Sequence, residues 1–531
     1  MTEELPKLPE GWVWTKLGEV TEKAQKVDRK NKSSDDSFLY IDIGSIDNTT
    51  NKIIGHKEYK WSEAPSRAQQ IIKKGDVLFS TVRTYLKNIA MVDREEYENQ
   101  ICSSGFTVIR GWNGMFHQKI FFYYSISNRF LNALNKLQTG TSYPAVRDED
   151  VFNQPFPLPP LPEQHVIVEI IEEKLSSLDH AVEELKKAKE GLATYRQSVL
   201  KWAFEGKLSE EWREAHKGEL ETAEELLERI KRERAERYER ELEDWKKAVK
   251  EWEENGKQGK KPTKPKRPKE TQPLTEEELK ELPELPEGWG WVRLGDINEI
   301  IMGQSPPGES YNTDGVGVPL INGPVEFGPS AFSKTIMSKW TTSPSKMCKE
   351  GDLILCVRGS TTGRQNIAGF EACLGRGVAA IKAEVINQML VNHYFVFLRE
   401  RVFKMGTGTT FPNISYEQIA SIPFPLGPLP EQHFIVSEIE RRLSLADRLE
   451  KAIDDALERS ELLRQSILKK AFEGELTRKW REEHPELITG ENSAEALLER
   501  IRKEKEESGK GRGAGRRRTD GRRGRKRRNK T

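Results

Sequence analysis

The sequence predicts an α+β protein in which two mixed α/β domains are joined by two long antiparallel coiled-coil helices, the whole forming a pseudo-twofold internal repeat. Three observations predict it. "LPEGWVWTKLGEV" (Leu8 to Val20) returns as "LPEGWGWVRLGDI" (Leu285 to Ile297). "PLPPLPEQHVIVEIIEEKL" (Pro157 to Leu175) returns as "PLGPLPEQHFIVSEIERRL" (Pro425 to Leu443). After each LPEQ the apolar residues keep a heptad period, which a lone helix cannot bury.

The elements follow in order. Residues 1–155 read as the first mixed domain, with short strands at "FLYIDIGSI", "GDVLFSTV" and "GFTVIRG" bounded by Gly and Asp, and one helix over "QKIFFYYSISNRFLNALNKL". Residues 156–208 read as a helix whose heptad track passes through Ile171, Leu175, Leu178, Val182, Leu185, Lys189, Leu192, Arg196, Val199 and Ala203. Pro162 suits its first turn and Gly206 its end. Residues 209–275 read as a further, very charged helix and then a Lys/Pro-rich linker, "ENGKQGKKPTKPKRPKETQP", with no apolar anchor. Residues 276–423 repeat the domain, with strands at "GVPLING", "GDLILCVRG" and "GVAAIKAE" and one helix over "NQMLVNHYFVFLRERVFKM". Residues 424–476 repeat the long helix, ending at Gly474, and residues 477–531 form a helical extension and a disordered Arg-rich tail. Antiparallel pairing of the two helices would set the domains at opposite ends.

The repeat is uneven. "KKGDVLFSTVR" echoes in "KEGDLILCVRGS", "GTSYPAVRDEDV" in "GTTFPNISYEQI", "YRQSVLKWAFEGKL" in "LRQSILKKAFEGEL", and "AEELLERIKRER" in "AEALLERIRKEK". The ends of each copy match closely, whereas residues 21–139 and 298–407 match only in islands. Similar frames around dissimilar interiors suggest one scaffold presenting two recognition surfaces.

Composition narrows the class. Hydrophobic residues are 35% and charged residues 32%, a balance suited to long solvated helices beside compact cores. The acidic start lacks the apolar run of a secretory signal, and no stretch is long enough to span a membrane, which suits a cytoplasmic protein. The four cysteines have no metal-binding spacing and read as reduced, buried thiols. The net charge of +1 hides a segregation: residues 509–531 hold twelve Lys/Arg and one Asp, or +11, which leaves −10 for the rest. A basic arm on an acidic body can hold polyanions.

No catalytic signature emerges. A phosphate loop and a dinucleotide fingerprint are absent. "NQPF" (Asn153 to Phe156) lacks one proline of the Asn-Pro-Pro-aromatic motif of amino-methylating enzymes, and its repeat partner "SIPF" lacks the Asn, so both read as structural turns. His165 and His433, one after each Glu-Gln, read as surface or interface residues.

Two dissimilar domains, each followed by a repeated "PLPxLPEQ" helix, resemble the DNA-specificity subunit of type I restriction–modification systems over about residues 8–476. The resemblance implies two target-recognition domains that each read half of a bipartite asymmetric DNA site, with the helices setting the gap. It implies a subunit with no catalysis, cofactor or metal of its own. Its partners would be two modification subunits using S-adenosylmethionine and two restriction subunits using ATP and Mg. The turn residues Glu163, Gln164, Glu431 and Gln432 are the expected partner-docking candidates. Expected DNA contacts lie in two loops per copy: Arg83, Thr84, Tyr85 and Lys87 with Thr141, Ser142, Tyr143 and Arg147; then Arg358, Ser360, Thr361, Thr362 and Arg364 with Thr409, Thr410, Phe411 and Asn413. Two rival readings remain: a coiled-coil scaffold with two protein-binding domains, which would show no sequence preference on DNA, and a fused enzyme, which would act on DNA alone.

Overall fold

The computed structural model describes residues 5–259, 261–406 and 412–516. It divides into two compact units, the first holding Met1–Lys186 and Asp454–Thr531, the second Lys187–Ile453. The boundary falls within both long helices, Leu161–Phe204 and Leu429–Phe472. Each unit therefore contains the opening half of one helix and the closing half of the other.

In both units these halves run antiparallel. In the first, Glu163 lies opposite Thr477 and Arg481, and Asp179 is paired with Arg464. In the second, Glu431 lies opposite Ser209 and Arg213, while Arg196 reaches Asp447 at 2.6 Å and Glu450 at 2.8 Å. The polar heptad positions Arg196 and Arg464 thus carry ion pairs along the seam. The predicted track is buried at its ends (Ile171, Leu175, Val199, Ala203) and half-buried between them, as a two-helix seam should be. At the ends Gly206 and Gly474 adopt φ of +70° and +71°. The amide of Lys207 donates to Trp202 O at 2.9 Å and that of Glu475 to Lys470 O at 2.9 Å, closing each helix with a glycine cap.

Each helix half enters the main core of its unit. Ile167, Ile171, Leu468 and Phe472 pack with Phe79, Phe121, Phe130 and Phe156 in the first. Leu200, Phe204, Ile435 and Ile439 pack with Leu355, Tyr394, Phe395 and Phe424 in the second. All six predicted strands form, at Ser37–Ile41, Val77–Ser80, Phe106–Gly111, Val318–Ile321, Leu353–Cys356 and Val378–Ala383. In the first unit they lie in two four-stranded sheets; in the second, in a four-stranded and a five-stranded sheet. A ribbon pairs Val13–Lys16 with Pro155–Leu158, and Gly290–Arg293 with Pro423–Leu426. The proline-rich turns are therefore strands, and Tyr124 and Tyr394 donate to the carbonyls of Pro155 and Pro423.

Two expectations are corrected. The single domain helix is two: Gln118–Ser125 and Asn128–Asn135, then Gln388–Phe397 and Arg399–Met405. In the first copy Ser127 caps the second piece by accepting from Phe130 N, which interrupts the run. The charged extension is likewise broken, into Glu210–Ala215 and Ala223–Glu254, because Gly218 (φ +88°) turns the chain and Thr222 begins a new helix with a capping box. The linker, which carries no apolar side chain besides proline, is tied back to the helix by hydrogen bonds: Trp245 and Trp252 donate to Pro262 O and Gly259 O at 3.1 and 3.2 Å.

All four cysteines are free and buried. Among the described residues no helix is long and apolar enough to cross a membrane, and no cluster of three or more His, Cys, Asp or Glu could hold a metal.

Candidate nucleic-acid interface

The loops nominated from sequence, about 55 to 60 residues apart in the chain, meet in space in both units. In the first, the chain leaves strand Val77–Ser80 and makes one tight turn between Arg83 and Lys87, both left-handed at φ 49° and 55°. Buried Thr84 donates to Asn135 Oδ1 at 2.6 Å and fastens the turn from beneath, while Asn48 holds Leu86 O at 2.8 Å. Tyr85 is therefore pushed outward and is 51% exposed. The second loop docks alongside: Arg83 N donates to Pro144 O at 2.7 Å, its Nη2 to Ser142 O at 3.2 Å, and its guanidinium lies 4.7 Å from the Tyr143 ring. Thr141, Ser142 and Tyr143 are exposed. Lys87 lies 3.7 Å from Glu461. Arg147 is exposed, but its backbone N and Nε both reach Asp150, so it also caps the helix Asp148–Phe152.

The second unit repeats this with other residues. Arg358 bridges to Asn413 through the backbone, and its Nε donates to Asn413 Oδ1 at 3.0 Å. Gly359, at φ +85°, donates to Pro412 O at 3.0 Å. Thr362 is buried and donates to Gly359 O and Pro412 O, tying its turn to the second loop, where Thr84 ties its turn to Asn135 instead. Ser360 is exposed and Thr361 half-exposed. The Arg364 guanidinium lies 5.8 Å from the Phe327 ring. Thr409, Thr410 and Phe411 lie outside the described residues.

Beside this loop pair the second unit opens a groove of about 1160 Å³. Ser360, Thr361 and Arg364 line it, and so do Gln197, Arg399 and Lys404, which the sequence reading did not nominate. The "RERVFK" run was legible as a helix, but its cations become relevant only once the fold sets them against the loop. In the first unit Gln465, which occupies the place of Gln197, instead accepts from Asn128 N at 2.8 Å.

The four docking candidates are placed differently from expectation. Glu163, Gln164, Glu431 and Gln432 are 0, 0, 0 and 1% exposed. Glu163 accepts from Trp12 Nε1 at 2.7 Å, Thr477 Oγ1 at 2.6 Å and Arg481 Nη1 at 2.5 Å. Glu431 accepts from Trp289 Nε1 at 2.8 Å, Ser209 Oγ at 2.6 Å and Arg213 Nη1 at 2.7 Å. Gln164 ties Pro159 O to His117 N, and Gln432 ties Gly427 O to Asn387 N. With no exposed surface, these side chains act inside the unit and do not themselves present a contact. Sequence spacing could not reveal this, since Arg481 lies 318 residues from Glu163.

Comparison with known proteins places the whole arrangement. A family model described as the type I restriction modification DNA specificity domain matches residues 9–190 and 286–459. The EcoDI type I restriction enzyme specificity subunit of Escherichia coli is 29% identical over 378 residues, covering 70% of this chain and 73% of that one. The EcoKI specificity subunit of Escherichia coli is 25% identical over 533 residues, covering 95% and 97%. Among solved structures, a chain from work on complex assembly and conformational transition of the type I R-M system aligns with a TM-score of 0.65 at 31% identity, over 88% of this chain and 99% of that one. The HsdS subunit from Thermoanaerobacter tengcongensis aligns with a TM-score of 0.58 at 31% identity, over 89% and 100%.

Proposed function

The chain belongs to the type I restriction–modification DNA-specificity family, and on that premise we propose that it is the non-catalytic subunit that reads a bipartite, asymmetric DNA site. Each unit reads one half and the paired helices set the unspecified gap between them. The observation that carries this reading is the same loop pair, joined by the same backbone bonds (Arg83 N to Pro144 O, Gly359 N to Pro412 O), presenting Arg83, Tyr85 and Tyr143 in one unit and Arg358, Ser360 and Arg364 in the other. A conserved frame with a changed surface suits two readers of two different DNA words. Arg, Lys and hydroxyl side chains supply phosphate contacts, and Arg and Asn supply base contacts in the major groove.

The chemistry belongs to partners: two modification subunits that methylate adenine with S-adenosylmethionine, and two restriction subunits that use ATP and Mg. Glu163, Gln164, Glu431 and Gln432 shape the docking surface from beneath by fixing where each long helix begins. Such a complex works in the cytoplasm, where DNA and these cofactors are available.

The test is to co-express the chain with its cognate methyltransferase and map methylated adenines across the host genome. One bipartite motif with a fixed gap is expected. If the methyltransferase is soluble and no motif appears, the chain is a scaffold rather than a reader.

A further inference from the structure

The two units differ at one groove whose walls they share. In the second unit, the chain leaves helix Ala223–Glu254 and runs back along it, with Lys261 and Lys264 lying 5.8 and 5.7 Å from the rings of Trp252 and Trp245. It then fills a groove beside Gly295. Thr271 Oγ1 donates to Asp296 Oδ2 at 2.6 Å, and Arg293 Nε donates to Gln272 O at 3.0 Å. Lys269 Nζ lies 3.6 Å from Glu417 and 4.8 Å from the Tyr416 ring. The fit is tight: a Cβ on Gly295 would meet Thr271 Cγ2 at 2.9 Å.

The first unit repeats the walls. Lys16, Gly18 and Glu19 stand for Arg293, Gly295 and Asp296, and Glu149 stands for Glu417. The bordering helix is seated alike: Lys505 donates to Gly18 O and Thr21 O at 3.0 and 2.9 Å, as Arg234 does to Gly295 O and Asn298 O at 3.2 and 3.4 Å. Yet here the groove, of about 350 Å³, is open among the described residues. Lys16 is held by Asn153 at 3.2 Å and Glu19 by Arg502 at 2.6 Å. The exposed Glu149 carboxylate makes no hydrogen bond or ion pair among the described residues, and Phe152 is left half-buried.

We propose that the Arg-rich segment 517–531 occupies this groove, as the Lys/Pro segment occupies its counterpart. It follows the helix Ala494–Arg516, which carries Lys505 and thus borders the groove. From residue 516 back to 505 is about 16 Å of helix, and the segment spans up to about 50 Å when extended. Lys16 and Lys23 also line the groove, yet neither reaches Glu149, so the segment's arginines supply a cation for that carboxylate and a planar group for the Phe152 ring, the two roles Lys269 fills toward Glu417 and Tyr416.

The test uses the full chain after nuclease treatment. Its four native cysteines are buried, so disulfide trapping can report on introduced ones. Glu149→Cys with Gly521→Cys should crosslink within the chain at least about tenfold faster than Glu58→Cys with Gly521→Cys, which samples an exposed strand of the same unit. A dye on Gly521→Cys should tumble more freely when Glu149→Lys is added. Equal trapping rates, or unchanged anisotropy in the Glu149→Lys chain, overturn the proposal. Trapping that requires added duplex DNA also overturns it, since the segment's ligand is then nucleic acid.

Discussion

Tyr123 in the first unit and His393 in the second occupy the same turn of the same helix, and the fold treats them oppositely. The Tyr123 hydroxyl donates to Glu172 at 3.2 Å. His393 is 3% exposed, packs on Phe332 at 4.6 Å and has no hydrogen-bond partner at either ring nitrogen. A second contrast lies on the sheets. Arg110 grips buried Asp76 through Nε at 2.7 Å and Nη2 at 2.6 Å, whereas Lys382 stands in its place and makes no bridge to Asp352. Against these differences, the Glu163 and Glu431 closures are nearly superposable in chemistry. The frame persists where one carboxylate satisfies three donors from two distant segments, because any single change strands several buried groups. The interior diverges where a side chain answers to one neighbour only.

The sharpest test of that contrast is to remove both closures. Glu163→Ala and Glu431→Ala should each destabilise their unit by about 3–5 kcal/mol, the range for stranding one member of a buried ion pair. The arginine side chains left behind are only 10 and 15% exposed. Denaturant unfolding should show similar losses for the two variants. Glu163→Gln, which keeps an acceptor, should lose less than Glu163→Ala. A large loss in one unit and a small one in the other would mean the closures are not equivalent.

Much of this frame was legible in the sequence, because repeats and heptads are local patterns with fixed periods. The long helices, their glycine ends and six strands all declare themselves within short windows. What stayed hidden depends on distant partners. Nothing near Glu163 announces Arg481, so an acidic residue in a first turn reads as exposed. Trp245 and Trp252 look like stray aromatics on a charged helix until Pro262 and Gly259 return to them. Ser127 reads as a tolerable helix residue until its hydroxyl is seen capping Phe130 N. Arg83 and Tyr143 were nominated separately, and only the fold stacks them.

His393 makes a prediction specific to the second unit. Burial holds its pKa down at about 4, from an ordinary value of 6.5. The folded state therefore keeps it neutral while the unfolded chain takes up a proton below pH 6.5. Stability from this group is fully present above pH 6.5, falls as pH drops, and levels off below about 4. The loss is on the order of 3 kcal/mol. His393→Phe should flatten that part of the pH–stability profile. An unchanged profile would show that the ring gains a partner on protonation.

The smallest effect should come from restoring the missing grip. Burial raises the pKa of Asp352, as it does that of Asp76, but Asp352 relies on the Lys349 amide at 2.7 Å without a guanidinium. Lys382→Arg would offer a planar fork to the same carboxylate. The expected gain is about 0.5–1 kcal/mol, because Lys382 is half-exposed and solvent screens part of the attraction. Asp352→Asn should abolish the gain, which separates a new ion pair from better packing of the longer side chain. A gain that survives Asp352→Asn would make the sheet contrast one of shape. In that case the two interiors diverged by volume, with charge following after.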